Sequence, residues 1–198
     1  MGTLTQGQVP LPIQDKVLQD ITCQVAVTQE GMEIQGQGMF ETIPLQFEWK
    51  EKFTDGPVHS VYKVTAIPDI ENLKPFWAEM PEIMTGKLGI NVFAQNNKNN
   101  EQLIDINVDL KNVSANIFPI NYQKALGQPA SLHMRLDNLK KGQNGSFELQ
   151  DQKGLNVVGT VSFGSDFSIE LSSYKENGSY KGIENDVDTN DNDNDKDK

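Results

Sequence analysis

Residues that carry chemistry are scarce in this chain. It holds one cysteine, two histidines and two tryptophans among 198 residues. Cys23 has no partner for an internal disulfide and no neighbour for a zinc site. It lies in phase with Ile21, Val25 and Val27, so it reads as a small buried hydrophobe, and a lone thiol decides no compartment. Positive charge is also short: 17 Lys and Arg against 28 Asp and Glu give a net charge of -11. A nucleic-acid backbone needs clustered cations, so this balance argues against such a partner. It argues equally against electrostatic adsorption to anionic headgroups. No apolar run approaches the ~20 residues that span a bilayer. No secretory leader is visible, because Met1–Asp15 carries Gly, Thr, Gln and Pro where a charged start and an apolar core would stand. The opening MGTLTQGQ reads as an internal segment, which favours a fragment or a shortened gene.

Catalytic signatures are missing as well. There is no GxSxG turn, no GxGxxG opening a helix and no P-loop. His59 and His133 are far apart and occupy the polar phase of strands, which favours surface histidine over a metal or acid–base role. Asp105 and Asp109 share a strand face with Asn107 and read as the wet side of a ribbon. No enzyme, no cofactor and no metal site is expected.

What the chain does have is alternation. Ile43, Leu45, Phe47 and Trp49 alternate with Pro44, Gln46, Glu48 and Lys50. Ile104, Ile106, Val108 and Leu110 alternate with Asp105, Asn107 and Asp109, and Leu132, Met134 and Leu136 with His133 and Arg135. Successive side chains on a strand point to opposite faces, so each run makes a ribbon that is greasy on one side only. Further strands are expected at 18–28, 32–40, 58–66, 87–94, 147–150, 155–163 and 167–174. Gly- and Asn-rich turns join them into an antiparallel meander. Gly36 and Gly38 fall on an apolar phase, which marks a bulge or a close approach by a neighbouring backbone or ligand. Between Lys111 and Gln128 the alternation lapses into a loop-like crossing. At Asp69–Met80 the period turns helical, while Pro75 and Pro81 keep the segment to one or two turns lying over a sheet end.

Three regions follow: an irregular leader over 1–17, a β domain over 18–175 and an acidic tail over 176–198. The tail is almost purely Asp, Asn and Lys, a composition that predicts disorder. Its Asp spacing does not match an EF-hand loop. The fold class is mainly β, with one short helical segment serving many strands. Its oily faces must therefore close on each other as a sandwich or fold around something apolar. Phe47, Trp49, Phe76 and Trp77 fill a core or line a groove.

The stretch from Ile106 to Asn138, followed by Phe147–Gly164, resembles the repeated domain of the AsmA-like envelope proteins of Gram-negative bacteria, particularly the YhdP type. Asp109-Leu110, Ile117-Phe118-Pro119, Tyr122, Lys124, Gly127, Pro129 and Ala130 occupy the places of that pattern. The first proline of its Lys-Pro-Ala-Gly step is replaced in Lys124-Ala125-Leu126-Gly127. Gly36, Pro44, Trp49 and Phe53 match an upstream strand pair, so the likeness runs from about Leu18 to Tyr174. It implies an open, taco-like groove with an apolar interior. It also implies an inner-membrane anchor, here missing, a periplasmic location and a part in moving phospholipid between inner and outer membranes. The chain would then be one section of a longer conduit, with the remaining segments of the parent protein and phospholipid acyl chains as partners.

The expected lining is Ile43, Leu45, Phe47, Trp49, Ile104, Ile106, Val108, Leu110, Leu132, Met134 and Leu136. Period alone does not say which of these face a groove and which pack under the helix. The alternatives are a closed sandwich acting as a structural or interaction module, and a lipocalin-like carrier holding one lipid.

Overall fold

The structure is a computed structural model that describes residues 1–10, 17–76, 84–99, 101–117, 122–137, 143–163, 167–176 and 179–181. Strand β1 is Gly2–Pro10, β2 Val17–Val27, β3 Gly31–Phe40, β4 Ile43–Lys52 and β5 Val58–Ala66. A 3₁₀ helix, Ile70–Phe76, precedes β6 (Met84–Gly86), β7 (Gly89–Asn97) and β8 (Gln102–Asp109). Then come β9 (Val113–Ile117), β10 (Tyr122–Lys124), β11 (Ala130–Asp137) and β12 (Gln143–Asp151). The last are β13 (Asn156–Phe163), β14 (Phe167–Glu176) and β15 (Ser179–Lys181). Twelve strands form one antiparallel sheet in the order β1-β2-β3-β4-β5-β7-β8-β11-β12-β13-β14-β15. Its edges, β1 and β15, do not pair with each other, so the sheet is an open, curled meander. The other three strands form a small sheet, β10-β9-β6.

Short polar side chains make the hairpins. Thr28 Oγ1 accepts from the backbone N–H groups of Glu30 and Gly31 between β2 and β3. Asn97 Oδ1 accepts from those of Asn99 and Glu101 between β7 and β8. Asp151 Oδ1 accepts from Lys153 and Leu155 between β12 and β13. Such bonds give the chain a turn without a strand partner and so end each ribbon.

Three expectations need correction. The leader is not irregular throughout: Gly2–Pro10 pairs with β2 as an edge strand, through two register shifts and a left-handed Gln6 (φ 56°). The 111–128 crossing contains strands β9 and β10, too short for alternation to be visible. The expected tail begins as strand, since Ser179–Lys181 pairs with β14. Its remainder, with the calcium question, lies outside the described residues, as do residues 77–80 of the expected helical segment.

Glycines on the apolar phase let neighbouring strands crowd together. A Cβ at Gly36 would meet Cys23 Cβ and lie 2.5 Å from the Thr22 carbonyl. Opposed residues in an ordinary sheet keep their Cβ atoms about 4.5–5.5 Å apart. The Phe147 ring lies against Gly159, 2.6 Å from where a Cβ would stand, and Leu136 leans over Gly145. Opposite Gly38 the β2–β3 register shifts between Gln19 and Thr22, with Asp20 left-handed (φ 51°). Gly36 and Gly38 thus carry both the close approach and the bulge that their phase predicts.

The 3₁₀ helix and the small sheet make a cap over one end of the main strands. Ile70, Leu88, Leu110, Val113 and Ala130 form its buried cluster, with Leu73, Met84, Ile90, Val108, Leu132 and Leu149 packed against it. Asn72 Nδ2 donates to Thr42 Oγ1 at the β3–β4 turn and ties the helix down. Lys124 is buried to 5% exposure, and its Nζ donates to the Val113 carbonyl at 2.6 Å. Burial pulls its pKa below the ordinary lysine value, against the opposing pull of Asp109 and Asp151. Tyr122 Oη donates to Asp151 at 3.0 Å, joining β10 to the main sheet; burial first and that bond second raise its pKa. Gly127 is left-handed (φ 85°) and its N–H reaches the Lys111 carbonyl at 2.8 Å, a turn that favours glycine.

Two outcomes are expected. Gly36→Ala should cost about 1–3 kcal/mol in urea unfolding, because overpacking forces β2 and β3 apart. A loss under 0.5 kcal/mol would refute the crowding. Lys124→Met should cost about 1–3 kcal/mol by stripping a buried carbonyl of its donor. Because the folded-state pKa of Lys124 is lowered, the unfolded chain holds the extra proton between that pKa and 10.5. Wild-type stability should therefore rise relative to Lys124→Met as pH climbs through that window, read from paired melts.

Candidate functional site

Residues directly opposed in a ladder share a face, so the register assigns every candidate. Leu4 opposes Cys23, Cys23 opposes Gly36, and Gly36 opposes Phe47. Phe47 opposes Val64, which opposes Val92, which opposes Ile106. Ile106 opposes Met134, then Phe147, Gly159 and Leu171. One row of apolar or glycine positions thus crosses the large sheet from β1 to β14. A second runs beside it: Ile34, Trp49, Tyr62, Ala94, Ile104, Leu136. A third holds Leu45, Ala66, Ile90, Val108, Leu132 and Leu149. The candidates on β4, β8 and β11 therefore lie on one face of one sheet.

The cap divides them. Leu110 is buried in its cluster, and Val108 and Leu132, themselves half-buried, pack against it. Ile43, beside the helix anchor Thr42, is buried. Leu136 is buried where it leans over Gly145. Leu45, Phe47, Trp49, Ile104, Ile106 and Met134 are half-buried and lie outside that cluster. They face the uncapped part of the apolar side. Of the other aromatic candidates, the side chains of Phe76 and Trp77 lie outside the described residues. Sequence reasoning omitted Tyr62, Val64, Val92 and Phe147 from the candidates, although their alternation was visible and the register sets them in the same apolar rows. It had no signal for the polar positions Glu51, Ser60 and Asn96 at the strand ends, which continue the phase of Trp49, Tyr62 and Ala94.

The opposite face is wet. Lys50 bridges Glu33 at 2.9 Å and Glu48 at 2.8 Å, and Lys63 reaches Glu48 at 3.4 Å. Hydrogen bonds to Glu48 and Glu33 push the Lys50 pKa up to about 12 and hold both carboxylates below their ordinary range. These groups are solvent-exposed, so water screens the pairs. A hollow of about 750 Å³ is bordered mainly by wet-phase residues such as Gln24, Gln35, Gln37, Gln46, Thr65 and Asn91. An acyl chain laid there would strip water from amides and give no hydrogen bond in return.

His133 approaches Asp105 at 3.3 Å and His59 approaches Glu51 at 3.0 Å, and both imidazoles are about half exposed. Among the described residues, no three His, Cys, Asp or Glu side chains gather to hold a metal ion. No helix among them is long and apolar enough to cross a membrane. Comparison with known proteins finds no matching family model, no matching curated protein and no matching solved structure.

Proposed function

We propose that this chain shields phospholipid acyl chains along the apolar face of its open sheet. On this reading it is one non-catalytic section of a conduit between the inner and outer membranes of a cell envelope. One observation carries the reading. One row of apolar or glycine positions runs from β1 to β14 with two shorter apolar rows beside it, while the 3₁₀ helix and the small sheet cap only one end of the strands. A two-sheet sandwich would bring a second large sheet over those rows. Among the described residues the other sheet has three strands and belongs to the cap. A lipocalin-like carrier would close its barrel, and this sheet is open.

Covering a methylene is worth about 0.8 kcal/mol, so an acyl tail only half covered gains several kcal/mol on the same scale. The force has no direction, which makes neighbouring places along a row nearly equal in energy. A lipid can then move from strand to strand without a large barrier. The resemblance to AsmA-like envelope proteins supports the same reading through Tyr122, Lys124 and Gly127, which build the cap in this fold.

Photocrosslinkers at Phe47, Val92, Ile106 and Met134 should each capture lipid from vesicles, while one at Asn91 on the wet face should not. Lipid from a single position at one copy per chain would favour a carrier, and none at all a structural module. Ile106→Asp and Met134→Asp should cut lipid capture at least about tenfold, given the cost of a charge in an apolar site. Their far-ultraviolet circular dichroism should match wild type. Unfolding of both variants would move these residues from lining to core.

A further inference from the structure

The apolar face ends in a polar rim on the side away from the cap. There Glu51 opposes Ser60, Ser60 opposes Asn96, and Asn96 opposes Gln102. Each stands two residues beyond Trp49, Tyr62, Ala94 or Ile104 and so points to the same face. Ser60 is 5% exposed. Asn96 Oδ1 is buried and has no hydrogen-bond partner. An orphaned buried acceptor is rare in a folded protein. Glu51, with its side chain 17% exposed, accepts from Trp49 Nε1 at 2.9 Å and lies 3.0 Å from His59 Nε2. A carboxylate has about four lone-pair sites, so capacity remains. Trp49 and Tyr62 stack at 5.7 Å, presenting electron-rich ring faces just inside the rim.

Ser60, Asn96 and Gln102 are neutral, and the only formal charge in the row is the Glu51 carboxylate, with His59 beside it; an orphaned amide oxygen and two aromatic faces adjoin it, and no lysine or arginine stands in the row. Such a set suits a group that donates and carries positive charge, and it repels a bare phosphate. We infer that this rim receives the primary ammonium of an aminophospholipid whose acyl chains occupy the adjacent apolar rows. The inference rests on the lipid-shielding reading and adds to it a headgroup preference. The tails lie over Trp49, Ile104 and the rows beyond them. The ammonium stands against Glu51 and Asn96, and the phosphate remains in water past the strand ends.

The test is competition between headgroups with identical acyl chains. The full chain is incubated with vesicles of equimolar phosphatidylethanolamine and phosphatidylglycerol, repurified, and its bound lipid identified by native mass spectrometry. Wild type should be enriched in phosphatidylethanolamine by about tenfold, the scale of a charge-assisted contact. Glu51→Gln with Asn96→Leu should bring the ratio to near one by lowering bound phosphatidylethanolamine, while bound phosphatidylglycerol stays at its wild-type level. Ile106→Asp should lower both lipids together and leave the ratio as in wild type. An equal ratio in wild type overturns the rim and spares the apolar rows. Enrichment that survives in the double variant overturns the rim as well. Capture of neither lipid removes the apolar rows, and the rim with them. Free ethanolamine at millimolar concentration should not displace the bound lipid; displacement would reassign the rim to small amines.

Discussion

Side chains alternate along a strand, so a slip of one residue in a single hairpin would turn every apolar group beyond it to the wrong side. The central ladders avoid this. From β3 to β4, β4 to β5, β7 to β8, β8 to β11, β11 to β12 and β12 to β13 the pairing runs without a shift. Irregularities gather elsewhere: in the β1–β2 and β2–β3 ladders, at Val58 where β5 begins, and between β13 and β14. That sustained phase lets Phe47 and Met134, far apart in sequence, belong to one row. Everything argued about the apolar side depends on it.

A flat sheet would leave that side standing in water. Here Phe47, Ile106 and Met134 are half-buried without belonging to the cap cluster, and glycines account for part of this shelter. Gly36, Gly145 and Gly159 bring a strand or a neighbouring side chain closer than any Cβ would allow. The cap works differently. It buries Leu110 and packs against the half-buried Val108 and Leu132, so the same alternating strand meets the cap at one end and lies outside it at the other. Burial of a residue and its place on the face are therefore separate facts, and only the second follows from period.

The strands were legible because each carries its own alternation. Val58–Ala66 agrees at both ends with expectation, and Ile104–Leu110 differs by a residue or two. Pro44 stands at the start of β4 as its missing N–H demands. The misses were elements too short or too mixed for a period. Met84–Gly86 and Tyr122–Lys124 have three residues each, and β1 interrupts its phase at Gln6 and Gly7. The candidate face was legible strand by strand, but its division between capped and uncapped parts was not. That depends on where the cap lands, set by the long-range pairing of β6 with β9. The rim was invisible because Glu51, Ser60 and Asn96 are single polar residues at strand ends, brought together only by register.

The meander is nearly all nearest-neighbour pairing, with two excursions, β5 to β7 and β8 to β11. The first carries the 3₁₀ helix and β6, the second β9 and β10, and the two meet where Met84 opposes Ala115. Each hairpin of the sheet needs only local loop closure, a small entropic cost. The joint between excursions has nothing to rest on until β7 and β8 lie side by side. The cap joint therefore carries the larger loop-closure cost, and the hairpins of the ribbon the smaller.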